Sequence, residues 1–341
     1  MNTIIVRSEH QSDFESHYIN ELIIPKVKKI NVNTEEFFDL EQKLIKDSKI
    51  IIICSPGNQK VKKDINNFII KFDSNYTLIH LSDESLIEKD YHYEKADLVI
   101  RSYFNPSIKH KNAYTIPVGY QNGFYSSQKS DNKKNKKLKW VFFGQIYSTR
   151  NNMINELTSI KPNYVFETKN FFSSKNLNVS EMQSIYGKAI FAPSPFGFLN
   201  PDTFRIMESL ESGCIPIVQK FMFIDYYKYV FGNHPFIVIK KWKEAPEIIN
   251  NFMMNEAKLK MKQKEISEWY KIFKHNLSKD LSNLIENKNE PLSSKQFTYQ
   301  KQNLMNLFRR LVFFYWFKFR KYYLFIKLSK FIYRLKRRLK N

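Results

Sequence analysis

Three residues on one short segment could do chemistry together: Thr203, Arg205 and Glu208, in the run FAPSPFGFLNPDTFRIMESLESGCIPIV from Phe191 to Val218. Arg205 and Glu208 lie three apart, so a helix places them on one face. Pro201-Asp202-Thr203 supplies N-cap and first-turn residue types ahead of them. Ser212-Gly213 stops the helix where glycine is the favoured C-terminal cap. A turn at the carboxyl end of a strand, opening into a helix N-terminus, suits a phosphate. On this reading Arg205 pairs with a diphosphate, Thr203 and the first-turn N–H groups bind phosphate, and Glu208 accepts hydrogen bonds from ribose hydroxyls. Spacing alone allows a second reading, a surface Arg–Glu pair worth a few tenths of a kcal/mol.

The elements around this segment are those of an α/β protein. Apolar runs at residues 3–7, 49–54, 77–82, 97–101 and 113–118 read as strands. Residues 13–29 carry a helical pattern with Phe14, Tyr18, Leu22 and Ile23 inward. Strands alternating with helix-like segments imply a parallel sheet. Residues 1–125 therefore form one Rossmann-like domain. The basic, low-complexity stretch 126–139 reads as a linker. Residues 140–290 form a second Rossmann-like domain. Its strands are expected at 140–144, 189–193, 214–218 and 236–239. Its helices are expected at 150–158, 202–212, 243–255 and 257–286. Residues 291–341 are a basic aromatic tail. A chain of 341 residues, 43% hydrophobic, can fill two cores.

The central segment resembles the donor-binding segment of the exostosin-type glycosyltransferases, including their ribitol xylosyltransferase-like members. In these a Pro-x-Gly turn precedes a Ser/Thr-x-Arg-x-x-Glu helix and Gly-Cys-Ile-Pro-Val. Here the matching residues are Pro195 and Gly197, then Thr203, Arg205 and Glu208, then Gly213-Cys214-Ile215-Pro216-Ile217. LSDES at 81–85, the stretch 97–103, IPVGY at 116–120 and VFFGQ at 141–145 with Arg150 are similar to the family as well. So are His234-Pro235-Phe236, Trp242 and Trp269-Tyr270. The resemblance covers roughly residues 75–275. It implies a GT-B-like fold, two Rossmann-like domains facing a cleft, with 1–125 the acceptor side, 140–290 the nucleotide-sugar side and a Glu at the place of Glu208 holding the ribose. Many retaining relatives have a second acid in the turn at 195–198. This chain has none, which points to an inverting enzyme.

In that fold Gly144 allows close backbone approach to the diphosphate and Arg150 faces it; otherwise they are an ordinary turn and an exposed arginine. An inverting transfer needs a base. The loops after the N-terminal strands offer Asp83, in Asp83-Glu84, and His10, in Glu9-His10; an N-cap is the plain alternative for Asp83. His80 and His234 read as structural, and Glu211 as a solvated helix residue. No Asp-x-Asp motif and no metal-ligand spacing is present, so no metal is expected and the nucleotide-sugar is a co-substrate. Cys54 and Cys214 read as buried free thiols.

The net charge of +22 is concentrated in the tail, which holds thirteen Lys/Arg and no acid after residue 300. On a helix, Phe314, Phe317, Leu324, Phe325, Leu328, Ile332, Leu335 and Leu339 gather on one side. Arg309, Arg320, Lys327, Arg334 and Arg338 form a stripe on another. That pattern suits an anionic membrane surface; a helix packed on the protein body and nucleic-acid binding are the other readings. No signal peptide or spanning run is apparent. The expectation is a cytoplasmic enzyme, peripheral on the inner face of the membrane. It would move a sugar, from a UDP-sugar, to a glycan or lipid-linked acceptor in surface polysaccharide synthesis. The rival readings are a non-catalytic membrane-associated scaffold or a nucleic-acid-binding protein acting through the tail.

Overall fold

The structure is a computed structural model and describes residues 2–24, 28–55, 58–84, 92–105, 108, 110, 112–124, 136–169, 176–197, 200–221 and 224–287. The basic tail, with all five residues of its cationic stripe, lies outside the described residues, as does most of the 126–139 stretch.

Two parallel sheets carry the chain. The first is ordered β2-β1-β3-β4-β5-β6 and comprises β1 (Asn2–Arg7), β2 (Lys29–Asn33), β3 (Ser48–Cys54), β4 (Tyr76–His80), β5 (Ala96–Ser102) and β6 (Ala113–Ile116). The second is ordered β11-β10-β9-β7-β8. It comprises β7 (Leu138–Gly144), β8 (Asn163–Glu167), β9 (Ala189–Ser194), β10 (Ile215–Gln219) and β11 (Ile237–Ile239). Every pairing within these sheets is parallel. The helices are α1 (Ser16–Tyr18), α2 (Gln42–Lys46), α3 (Gln59–Lys71), α4 (Ser148–Leu157), α5 (Val179–Gly187), α6 (Phe204–Glu211), α7 (Lys228–Phe231), α8 (Ala245–Met254) and α9 (Glu256–Ile285).

The apolar runs became central strands because helices cover both faces of the sheet. Ile51, Ile52 and Ile53 of β3 are fully buried, although successive side chains point to opposite sides. α3 covers one side with Val61, Ile65, Phe68 and Ile69, spaced on one helical stripe. Each such side chain contributes about 1.5–3 kcal/mol on burial.

Two expectations needed correction. The helix over 13–29 is a broken coil: a 3-10 turn at Asp13–Glu15, the single turn α1, and a π turn at Ile19–Ile23. β2 then begins at Lys29. Neither β2 (KINVN) nor β8 (NYVFE) had been expected. Both are rim strands with no fully buried residue, so neither needed an apolar run.

α9 connects the two halves. It packs on α8, α6 and β10 of the second half and on Ile19–Ile23 of the first. Near its end the Lys49 ammonium donates to the Ile285 carbonyl. Glu211 is not solvated: its carboxylate takes the Tyr270 hydroxyl at 2.7 Å and the Lys274 ammonium at 2.7 Å, tying α6 to α9. Among the described residues no helix is long and apolar enough to cross a membrane.

Candidate functional site

The carboxyl ends of both sheets face a cleft of about 870 Å³, the place where open parallel sheets bind ligands. The first half contributes Phe14, Glu84, Tyr103 and Gln121; the second supplies most of the wall.

Gly144 ends β7 with φ +146°, a conformation that favours glycine. A Cβ there would stand 2.9 Å from Nη1 of Arg205 and 3.5 Å from Nη1 of Arg150. Two guanidinium groups therefore converge on one glycine. Arg150, from α4, lies over the Tyr147 ring at 4.3 Å and donates to the Phe196 carbonyl at 3.0 Å and the Gln145 carbonyl at 3.1 Å. Burial, then the neighbouring Arg205, pull its pKa down to about 9. Arg205 lies over the Phe142 ring and donates from Nη1 to the Phe143 carbonyl at 3.3 Å; its buried Nε has no protein partner. Paired like charges in a low-dielectric wall call for an anion between them.

Thr203 is the N-cap of α6 in extended conformation, and its side chain makes no capping bond. Its buried Oγ1 has no partner and lines the cleft. Just ahead of it, the Asp202 carboxylate accepts from the Thr203 N–H and, at 2.9 Å across the two halves, from the Val118 N–H. Burial holds Asp202 up at about 7. One turn further, Glu208 is 3% exposed; burial raises it to about 7, against Arg205 and hydrogen bonds from Gln121 that favour its ionised form. Phe143, Phe166, Leu177, Val179 and Met182 form an apolar stretch of the same wall.

The structure thus brings Gly144, Arg150, Gly197, Thr203, Arg205 and Glu208 to one cleft; Pro195 is buried just behind it. The two base candidates are not there. The Asp83 carboxylate is buried against the fully buried Arg101 guanidinium at 3.3 Å, because the polar end of β5 must be neutralised inside the first half. His10 is partly exposed beside Glu9 at 3.4 Å and does not line the cleft. Glu84, the next residue after Asp83, does line it. Asp202 and Gln121 were also missed. Asp202 carried a signal as a first-turn acid, whereas Gln121 carried none, because only folding sets it against Glu208. His80 is structural, buried with Nδ1 2.6 Å from the Tyr93 hydroxyl, and His234 pairs with Asp225. Both cysteines are buried free thiols. Among the described residues no group of three or more His, Cys, Asp or Glu is placed to hold a metal ion.

Residues 121–289 match the model of the RXYLT1 C-terminal domain. Among solved structures, T4 phage BGT in complex with UDP and Mn2+ is 14% identical. It covers 84% of this chain and 99% of its own, with a TM-score of 0.51. The DNA-modifying enzyme beta-glucosyltransferase, solved with and without uridine diphosphoglucose, is 13% identical over 84% of this chain and 100% of its own, with a TM-score of 0.53. These likenesses are of fold: two parallel-sheet halves about a cleft. No curated protein matches the sequence.

Proposed function

From the premise that residues 121–289 belong to the family of the RXYLT1 C-terminal domain, in a chain folded as a GT-B glycosyltransferase, we propose that this protein transfers a sugar from a UDP-sugar to a glycan or lipid-linked acceptor. The observation that carries the reading is the convergence of Arg150 and Arg205 at Gly144. The same cleft is lined by the unpartnered Thr203 hydroxyl and by Glu208, one helical turn from Arg205. The diphosphate lies between the guanidiniums and the N-terminus of α6, where charge-assisted bonds and the helix dipole favour anions. Glu208 takes the ribose hydroxyls. The uracil lies along the apolar wall.

Negative charge grows on the leaving diphosphate in the transition state, and the two arginines are already in place to meet it. We read the reaction as inverting and metal-independent. The cations that a metal would otherwise supply are side chains here, and the turn at Pro195-Phe196-Gly197 carries no acid. The proposed setting is the inner face of a membrane during surface polysaccharide synthesis. The acid-free aromatic and basic tail supports it, since each Lys/Arg near an anionic surface contributes about 1 kcal/mol.

Thermal shift with a panel of nucleoside diphosphates, with and without chelator, tests the donor site. The expected result is stabilisation by UDP above that by other diphosphates, unchanged by chelator. Cosedimentation of full-length and tail-deleted chains with phosphatidylserine vesicles tests the membrane setting. Equal sedimentation of the two would remove it.

A further inference from the structure

We propose that Glu84 is the general base that deprotonates the acceptor hydroxyl. This assignment rests on the glycosyl-transfer reading and adds the group that completes it.

Among the described residues three carboxylates line the cleft: Glu84, Asp202 and Glu208. Asp202 commits its oxygens to the Val118 and Thr203 N–H groups. Glu208 lies on α6 against Gln121 and Arg205, at the ribose end. Glu84 is the one that comes from the first half, on the turn after β4. The turn of the second half makes room for it: a Cβ on Gly197 would stand 2.5 Å from Glu84 Oε1. The same oxygen accepts a hydrogen bond from the Asn200 N–H at 3.4 Å. Its charge reaches Tyr103, Tyr147 and Arg150, which also line the cleft.

The turn presenting Glu84 is held from behind. Ser82 adopts φ +60°, rare for a residue with a side chain, and its N–H donates to Ser102 Oγ at 3.1 Å. Asp83 points the other way, into its pair with Arg101. Adjacent residues on this turn thus divide the work, with Asp83 buried as an anchor and Glu84 facing the cleft.

The step balances as follows. The Glu84 carboxylate takes the proton of the acceptor hydroxyl as that oxygen bonds to the anomeric carbon. The bond from that carbon to the β-phosphate oxygen breaks, and its electron pair leaves on the diphosphate against Arg150 and Arg205. The proton passes from Glu84 to solvent after the products depart.

The test compares wild type with Glu84→Gln and Glu84→Asp in two measurements. One is UDP affinity by calorimetry. The other is UDP release from UDP-xylose, UDP-glucose and UDP-N-acetylglucosamine, with water as the acceptor. A positioned base contributes about 100-fold to 10,000-fold. Glu84→Gln is therefore expected to bind UDP at least as tightly as wild type, having lost a negative charge near Arg150. Its UDP release should fall about 100-fold or more, with Glu84→Asp retaining more. Release within about threefold of wild type would overturn the assignment, being far short of what a base supplies. So would UDP affinity falling in step with release, since Glu84 would then be a clasp between the halves. A folded wild type that binds no UDP would instead overturn the transferase reading itself.

Discussion

The terminal nitrogens of Arg150 and Arg205 approach one point, the place a Cβ would occupy on Gly144, to 3.5 and 2.9 Å. Neither guanidinium has a carboxylate within ion-pair distance among the described residues, and Arg205 Nε lacks a partner. Charge-assisted bonds of this kind contribute about 1.5–3 kcal/mol each. Arg205→Ala should therefore weaken UDP binding about 10-fold to 100-fold with the fold intact. Calorimetry with far-ultraviolet circular dichroism checks both. Undiminished UDP affinity in a folded Arg205→Ala protein would remove the donor site.

Glu208 gives a prediction about the ribose. A buried carboxylate accepting ribose hydroxyls should distinguish UDP from 2′-deoxy-UDP, because the missing hydroxyl leaves a charged acceptor unpaired. Wild type should prefer UDP, and Glu208→Gln should lose most of that preference. Equal preference in both proteins would place the ribose elsewhere.

Stability should depend on pH through three buried carboxylates. Glu15, Asp202 and Glu208 are each raised to about 7, chiefly by burial. Between the ordinary carboxylate range and pH 7 the folded protein keeps protons that the unfolded chain has released. Their contribution is thus full at low pH and is lost as pH rises through 7. Thermal midpoints at fixed ionic strength should fall between pH 5.5 and pH 8, and Glu208→Gln should flatten that slope. A slope identical in the variant would contradict the burial of Glu208.

Asp83 should matter to folding more than to donor binding. Removing it leaves the fully buried Arg101 short of its countercharge. Breaking such a pair costs about 3–5 kcal/mol. Denaturant titration of Asp83→Ala should show a loss of that order, and Asp83→Asn a smaller one. A variant as stable as wild type, with UDP release abolished, would return Asp83 to the role of base.

The tie between α6 and α9 offers a milder test. Glu211→Ala removes the carboxylate that Lys274 and the Tyr270 hydroxyl share. It should lower the thermal midpoint by a few degrees, an effect of about 1–3 kcal/mol. UDP affinity should change little, because Glu211 points away from the cleft toward α9. A large loss of affinity would show that α9 helps set the donor face of α6.

The sequence alone was enough to read the central strands and the helix bearing Arg205 and Glu208. Those features are local: an apolar run between turn residues, a 3.6-residue period, a cap and a stop. Rim strands such as β2 and β8 escaped, because a half-exposed strand needs no apolar signature. Which of Asp83 and Glu84 faces the cleft could not be read locally either. Both carboxylates stand on one turn after one strand, and their types are equivalent to any pattern. Only the tertiary structure decided it, by placing Arg101 of the neighbouring strand against one and opening the cleft beside Gly197 to the other. The same holds for Gln121 at Glu208 and for Asp202 at Val118. Burial and partner charge are properties of neighbours distant in the chain, and folding alone brings them together.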